Sequence, residues 1–379
     1  MRQPNEANMT DRIDQIALRL IESRIRNARS HGSGTISRAV QRVIVTIRTA
    51  DGLAGWGEAA PWAPFGNVAE TTLAALDAAL RPALLGADPA AIGARMLDCA
   101  HAIAFHPEAK SAVEMALWDI AGQRAGAPVH ALLGGAVRDV IPLSFSVADP
   151  DFAADLARAR EMFAHGHRIL KVKTGFAGHA EDLRRLAALR DALPELDLRV
   201  DYNQGLDPFD ALVRLRDVEG FRPSFIEQPV PRGQERALAA LAAALDTPIM
   251  ADESVYDAAE MLRAARDAIA DCVSIKLGKC GGIGPARALD AVAAAAGWPS
   301  YGGTLWEGGI ALAAAAHVLS ALPNMTLGCE FYLPSYALEQ DVVADVLRAG
   351  GGVVRVPDGP GLGITIDAAA LEAQTVAVL

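Results

Sequence analysis

Long uninterrupted apolar runs are missing from this chain of 379 residues. Its alanine-rich stretches are broken by charges, proline and glycine before they reach the length of a membrane span. No membrane partner is therefore expected. The first residues, Met1-Arg2-Gln3-Pro4-Asn5-Glu6, are polar and hold no apolar signal core. A cytoplasmic location is the expectation. An excess of positive charge is also missing. Lys and Arg number 35 against 46 Asp and Glu, a formal net charge of −11. Nucleic acid wants a basic face, so it is not expected as a partner. A small anionic substrate is still admitted, because a metal ion and lysines can reverse the sign inside a pocket. Cysteine is scarce: Cys99, Cys272, Cys280 and Cys329, none in a Cys-x-x-Cys pair. These read as buried thiols. The eight histidines are scattered and read as structural or surface residues, so nothing points to zinc.

Half of the chain is apolar, enough for a large core. Residues 1–10 read as a flexible tail. Ile16–Ile21 and Val43–Arg48 read as strands, with a polar loop over Arg24–Thr35 between them. Asp51-Gly52 is a turn signal, and Gly55-Trp56-Gly57-Glu58 reads as a third short strand. Apolar residues at three- and four-residue spacing predict helices from Val68 to Gly126. After about residue 140, β-like runs recur at a period of roughly 25 to 28 residues, each followed by an amphipathic helical stretch. They are Ile141–Val147, Ile169–Lys173, Leu198–Tyr202, Ser224–Glu227, Ile249–Asp252, Val273–Leu277, Ser300–Gly302 and Met325–Glu330. Eight such units predict an α/β fold of the (β/α)8 TIM-barrel type. An open doubly wound sheet would want a glycine-rich phosphate turn after its first strand, and none is there. Gly281-Gly282-Ile283-Gly284 reads as a tight strand-to-helix turn. The expected division is an α+β cap over residues 11–138, the barrel over 139–338, and a tail over 339–379. That tail carries a strand at Val353–Val356 and is expected to fold back onto the cap.

Charged residues end five consecutive runs. Lys171 and Lys173 close the second, Asp201 the third, Glu227 the fourth, Asp252 the fifth and Lys276 the sixth. In a barrel all strand C-termini point to one mouth. Three carboxylates converging there would repel each other unless a cation lies between them. Oxygen ligands alone favour a hard divalent ion, Mg²⁺ or Mn²⁺. Lys173 and Lys276 would flank that ion from opposite sides. Burial beside a cation and a second lysine is expected to lower a lysine's pKa and free its amine. Lys171 shares a strand face with Lys173, and reads as its electrostatic tuner or as a ligand for the substrate carboxylate.

These segments resemble the enolase superfamily, and within it the muconate lactonizing enzyme (muconate cycloisomerase) subgroup. The resemblance runs from about residue 40 to about 367. It rests on Lys171-Val172-Lys173, Asp201-Tyr202-Asn203, Ile226-Glu227-Gln228-Pro229, Ala251-Asp252-Glu253-Ser254 and the segment from Lys276 to Gly282. Ala116-Leu117-Trp118-Asp119, Leu132-Leu133-Gly134-Gly135 and Pro360-Gly361-Leu362-Gly363 support it. It implies one divalent ion held by Asp201, Glu227 and Asp252, an enediolate-like intermediate, and acid/base lysines at Lys173 and Lys276. It also implies that Glu330 faces the site. The physical need is plain: a proton next to a carboxylate is too weakly acidic for an amine in water, and a metal with buried cations lowers that barrier.

The segment from Gly302 to Gly309, with Thr304 and Trp306, looks like the cycloisomerase form of the seventh strand end. Trp62 and Phe65, in the Pro61–Val68 loop, are expected to close over the substrate. The leading expectation is an isomerase that converts a muconate-like unsaturated dicarboxylate to its lactone, and a homo-oligomer. The alternative is an epimerase, racemase or dehydratase of a cyclic amino-acid derivative such as a proline betaine or hydroxyproline. Trp306 could hold a quaternary ammonium in that case. Dipeptide epimerases of this group carry an Asp-x-Asp near the eighth strand, and none is present. A non-catalytic binding barrel is the reading of another class, against which the intact lysines and carboxylates stand.

Overall fold

The structure is a computed structural model and describes residues 12–344, 347 and 349–379. The tail expected over residues 1–10 lies outside the described residues. The chain opens with β1 (Ile13–Arg24), a small hairpin of β2 (Arg29–His31) and β3 (Gly34–Ile36), then β4 (Ala39–Thr49) and β5 (Ala54–Ala59). The hairpin lies inside the segment read as a polar loop. β4 is rich in Val and Ile, and Val43–Ile47 are buried, as a strand covered on both faces should be. Helices follow, of which Pro107–Ala125 is the longest and packs on β4 and β5.

Next come β6 (Val140–Pro142), outside the barrel sheet, and β7 (Ser144–Val147), its first strand, where a single run was expected; Leu143 separates them. Then come β8 (Ile169–Lys173), β9 (Asp197–Asp201), β10 (Ile226–Glu227), β11 (Ile249–Ala251), β12 (Cys272–Ile275) and β13 (Ser300–Gly302). β7 to β13 form one parallel sheet in sequence order, with helices between them. β12 stops earlier than expected because Leu277 starts a short helix, Leu277–Cys280. Gly281 and Gly282 turn that helix into the next, Ile283–Ala295.

The eighth run makes no strand. Cys329 alone bridges the two edges, pairing in parallel with Leu143 and with Gly302. Its N–H donates to Pro142 O and its carbonyl accepts from Ser144 N, both at 2.8 Å. Gly328, at φ +76°, bends the run out of the extended conformation just before this point.

The tail adds β14 (Ala349–Gly350), β15 (Val353–Arg355) and β16 (Thr375–Val378). β16 joins the cap sheet, whose order is β16-β1-β4-β5, all neighbours antiparallel. β15 does not: it pairs antiparallel with β6, in a small sheet of order β14-β15-β6 apart from the cap sheet and the barrel sheet. The Val353 strand was expected on the cap. Strand propensity marks an edge-seeking segment but does not choose between two available edges.

Cap and barrel are joined by a buried ionic network. Arg42 on β4 donates to Glu58 Oε1 at 2.5 Å and to Ser23 Oγ at 2.6 Å, with Asp341 Oδ1 at 3.5 Å. Glu58 in turn accepts from Gly308 N and Ala311 N, at 2.7 and 3.0 Å. Those amides open the barrel helix Gly309–Ala321. A carboxylate at a helix N-terminus fills orphan donors and meets the positive end of its dipole. Among the described residues no helix is long and apolar enough to cross a membrane.

Candidate active site

Parallel strands bring their C-terminal residues to one mouth, and register does the rest. Lys173 pairs with Asp201 across β8 and β9, and Asp201 pairs with Glu227 across β9 and β10. Asp252 follows β11 directly, Lys276 follows β12, and Glu330 follows the Cys329 bridge. All six side chains, with Lys171, are buried.

They form an alternating charge cluster. Lys171 Nζ donates to Glu227 Oε2 at 2.7 Å, lies 3.3 Å from Asp201 Oδ2, and is in ion-pair contact with Glu330. Lys173 Nζ donates to Asp201 Oδ2 at 2.5 Å and lies 3.8 Å from Glu330 Oε1. Lys276 Nζ donates to Asp252 Oδ2 at 2.6 Å. Lys279 holds the other side of Asp252, donating to Oδ1 at 2.9 Å and to the backbone oxygen at 2.8 Å.

The lysine pKa values are governed by the carboxylates around them. Burial lowers Lys173, but Asp201 and Glu330 outweigh it, and the net shift is upward. Burial likewise lowers Lys276, and Asp252 and Glu227 more than reverse it. The neighbouring lysine acts in the expected sense but is the smaller influence. On the acid side, burial raises Asp252, yet Lys276 and Lys279 hold it below the usual carboxylate range.

Among the described residues no three acidic, histidine or cysteine side chains gather into a ready-made metal cage. Each of Asp201, Glu227 and Asp252 faces a lysine instead. Glu227 nevertheless fits a cation. Its Oε1 is buried with no partner. Its carboxyl is pushed up to about 7, by burial first, then by Asp201, with Asp252 adding to it. An orphaned carboxylate oxygen flanked by two more carboxylates suits a hard divalent ion held through oxygen.

The cap closes the mouth. Phe65 lies 4.9 Å from Lys276 Nζ, ring centre to nitrogen, and stacks on Trp62 at 5.6 Å. Trp306 packs edge-on to Tyr332 at 5.2 Å, in an apolar cluster with Ile25, Val40 and Leu338. Thr304 is engaged by the backbone: its hydroxyl donates to Glu330 O at 3.1 Å and accepts from Tyr332 N at 3.4 Å. It braces the segment that carries Glu330.

Two residues near the site were not singled out from the sequence. Lys279 stands three residues after Lys276, a spacing that puts both on one side of the short helix start. His31, read with the other histidines as structural or surface, is 2% exposed and packs edge-on to Trp62 at 5.1 Å. Only the cap's docking on the barrel brings it here.

Gly303 leaves room for the Lys276 stem. A Cβ there would stand 2.7 Å from Lys276 Cε and 2.9 Å from Ser274 Oγ. Gly303→Ala is expected to push the ammonium off Asp252 and lower kcat by about 10²-fold, the scale for an ångström-sized misplacement. Steady-state kinetics on the folded variant checks this. Unchanged kcat would show that the lysine tolerates the shift.

Residues 154–370 match the model of the enolase C-terminal domain-like family. Residues 18–134 match the mandelate racemase / muconate lactonizing enzyme N-terminal domain. The chain belongs to this family. Members are divalent-metal-dependent enzymes on TIM barrels. A crystal structure of a muconate cycloisomerase from Azorhizobium caulinodans superposes with a TM-score of 0.85 at 49% identity, covering 97% of this chain and 99% of that one. Chloromuconate cycloisomerase from Cupriavidus pinatubonensis is 35% identical over 88% of this chain and 91% of its own. The L-Ala-D/L-Glu epimerase of Bacillus subtilis is also 35% identical, over 88% and 91%. Identity at this level fixes the family and its isomerase class while leaving two chemistries side by side.

Proposed function

We propose that this chain is a lactonizing cycloisomerase acting on an unsaturated dicarboxylate of the muconate type, with one Mg²⁺ or Mn²⁺ ion. The observation that carries this is the placing of Lys173 and Lys276 at the second and sixth positions of an eight-membered ring, with three carboxylates between them. The names of the cycloisomerase relatives support it.

Asp201, Glu227 and Asp252 would hold the ion, which when bound takes the substrate carboxylate and accepts part of the negative charge that develops on it. Lys171, fully buried behind the carboxylates, adds fixed positive charge on the same side. Lys173 moves the proton at the carbon next to that carboxylate. In lactonization the second carboxylate oxygen adds across a double bond and Lys173 gives its proton to carbon, then regains one from solvent; the lactone is an isomer of the dicarboxylic acid. Lys276 stabilises charge from the opposite face. Trp62 and Phe65 exclude water.

An epimerase is the second reading. Lys276 is built like Lys173, a buried ammonium on a single carboxylate oxygen, as a second proton carrier would be. The sequence Cys329-Glu330-Phe331 at the eighth position offers one acid and no Asp-x-Asp pair to hold an ammonium.

Incubation with Mg²⁺ or Mn²⁺ in D₂O separates the readings. Muconate is expected to become a lactone carrying one carbon-bound deuterium. Exchange and inversion of N-acylated amino acids or dipeptides, with muconate untouched, would transfer the assignment to the epimerase. No reaction with either class would leave a binding barrel.

A further inference from the structure

Beneath the charged mouth the barrel interior changes chemistry. Phe225, Met250, Cys272 and Tyr301 form a buried apolar cluster. Phe225 and Met250 stand two residues before Glu227 and Asp252, so they share the inward face one layer down. Tyr301 is placed by its neighbours. The Ser300 hydroxyl reaches out to Asp290, and Gly302 packs on Leu319 of the barrel helix Gly309–Ala321. Tyr301, between them, points inward.

Two cations stand against the Tyr301 ring. Arg199 Cζ lies 5.1 Å from its centre and Lys171 Nζ 5.2 Å. Both are inside the roughly 6 Å reach of a cation–π contact. Arg199 is anchored elsewhere as well, donating to Leu327 O at 2.7 Å and to Asp197 Oδ2 at 3.0 Å. Tyr301 is fully buried and its hydroxyl has no partner. A buried tyrosine that serves through its O–H finds a partner for it. What the site uses here is the ring. Lys171 is where this matters. Its ammonium donates to Glu227 Oε2 at 2.7 Å and lies 3.3 Å from Asp201 Oδ2. Both carboxylates are assigned to the divalent ion, and an ion and an ammonium on the same oxygens compete. The other neighbours of Lys171 are the Glu330 carboxylate and the face of Tyr301, neither of them assigned to the ion.

We propose that Tyr301 is a positioning residue for the metal site: its ring face draws the Lys171 ammonium back from Glu227 and Asp201 and so leaves their oxygens to the ion. This rests on the metal-site reading above. A ring suits the task. Its negative face attracts an ammonium, yet it carries no formal charge and offers the ion no carboxylate oxygen. A carboxylate in its place would become a further ligand. An aliphatic side chain would return the ammonium to the oxygens that the ion needs.

Direct Mn²⁺ binding to the full chain, read by electron paramagnetic resonance without substrate, tests this. Phenylalanine at position 301, then phenylalanines bearing one, two and three ring fluorines, keep the ring's shape while draining its face. Tyr301→Phe is expected to bind Mn²⁺ as wild type does. The Mn²⁺ dissociation constant should rise stepwise with fluorine and reach about ten-fold in Tyr301→Leu, the scale of a buried cation–π contact. In a Lys171→Met background the same replacements should leave the constant unchanged, because the ammonium they act through is gone. A flat fluorine series overturns the proposal, and that outcome does not depend on the leucine variant folding. A loss as large in the Lys171→Met background overturns it as well, since the ring then acts by packing. A loss already complete in Tyr301→Phe assigns the effect to the hydroxyl and overturns it too. If wild type binds no Mn²⁺, the metal-site reading itself fails, and the proposal with it.

Discussion

Lys173→Ala is expected to lower kcat by about 10²–10⁴-fold or more, the usual worth of a positioned acid or base. The variant should still fold. Lys173 is not the only cation on Asp201, because Lys171 lies 3.3 Å from the same oxygen. Its loss therefore strips one ammonium from the cluster without leaving a carboxylate stranded. Kinetics at saturating substrate and metal, beside a thermal melt, reads both quantities. Lys276→Ala distinguishes the two chemistries. A two-base epimerase would lose inversion entirely, whereas a cycloisomerase would keep proton transfer and lose only charge stabilisation. Near-wild-type turnover by Lys173→Ala would sink the assignment of that lysine.

The largest effect on stability is expected at Arg42. Its side chain is fully buried, with Glu58 and Asp341 also buried around it. Glu58 holds the first turn of the barrel helix Gly309–Ala321, so the network spans the join between cap and barrel. Arg42→Met leaves two carboxylates without their cation. Removing one partner from a buried charge network costs about 3–5 kcal/mol. Urea unfolding should show the midpoint falling accordingly. A second replacement, Glu58→Gln in the Arg42→Met background, should recover part of the loss, because it removes one of the stranded charges. A single Arg42→Met variant as stable as wild type would mean that the carboxylates are neutralised or solvated in some other way.

Much of the barrel was legible because two periodic signals coincide. β-like runs recur at an even spacing, and the residues that end them carry charge where a surface strand would carry none in particular. Lys173, Asp201, Glu227, Asp252 and Lys276 were visible for that reason. The eighth strand was not, because Gly328 looks like part of an extended run in sequence and acts as a bend in space. Lys279 lacked a signal of its own: a lysine in a loop after a strand is ordinary until the Asp252 carboxylate is seen beneath it. His31 belongs to a loop whose position depends on contacts 170 or more residues away, such as Gly32 with Gly205.

The single-residue closure at Cys329 has a consequence for how the ring can yield. Seven positions are laced to their neighbours by strand ladders, and the eighth is fastened by one bridge on each side. Backbone hydrogen bonds reinforce it, from Gly302 N to Gly328 O and from Glu330 N to Gly302 O on one side and through Cys329 on the other. The next residue is Glu330, whose carboxylate contacts Lys171 and lies 3.8 Å from Lys173 Nζ. A substitution that displaced Cys329 would therefore draw an anion away from two ammonium groups at once. The residue that closes the wall thus stands next in the chain to the one that balances the charge of the mouth.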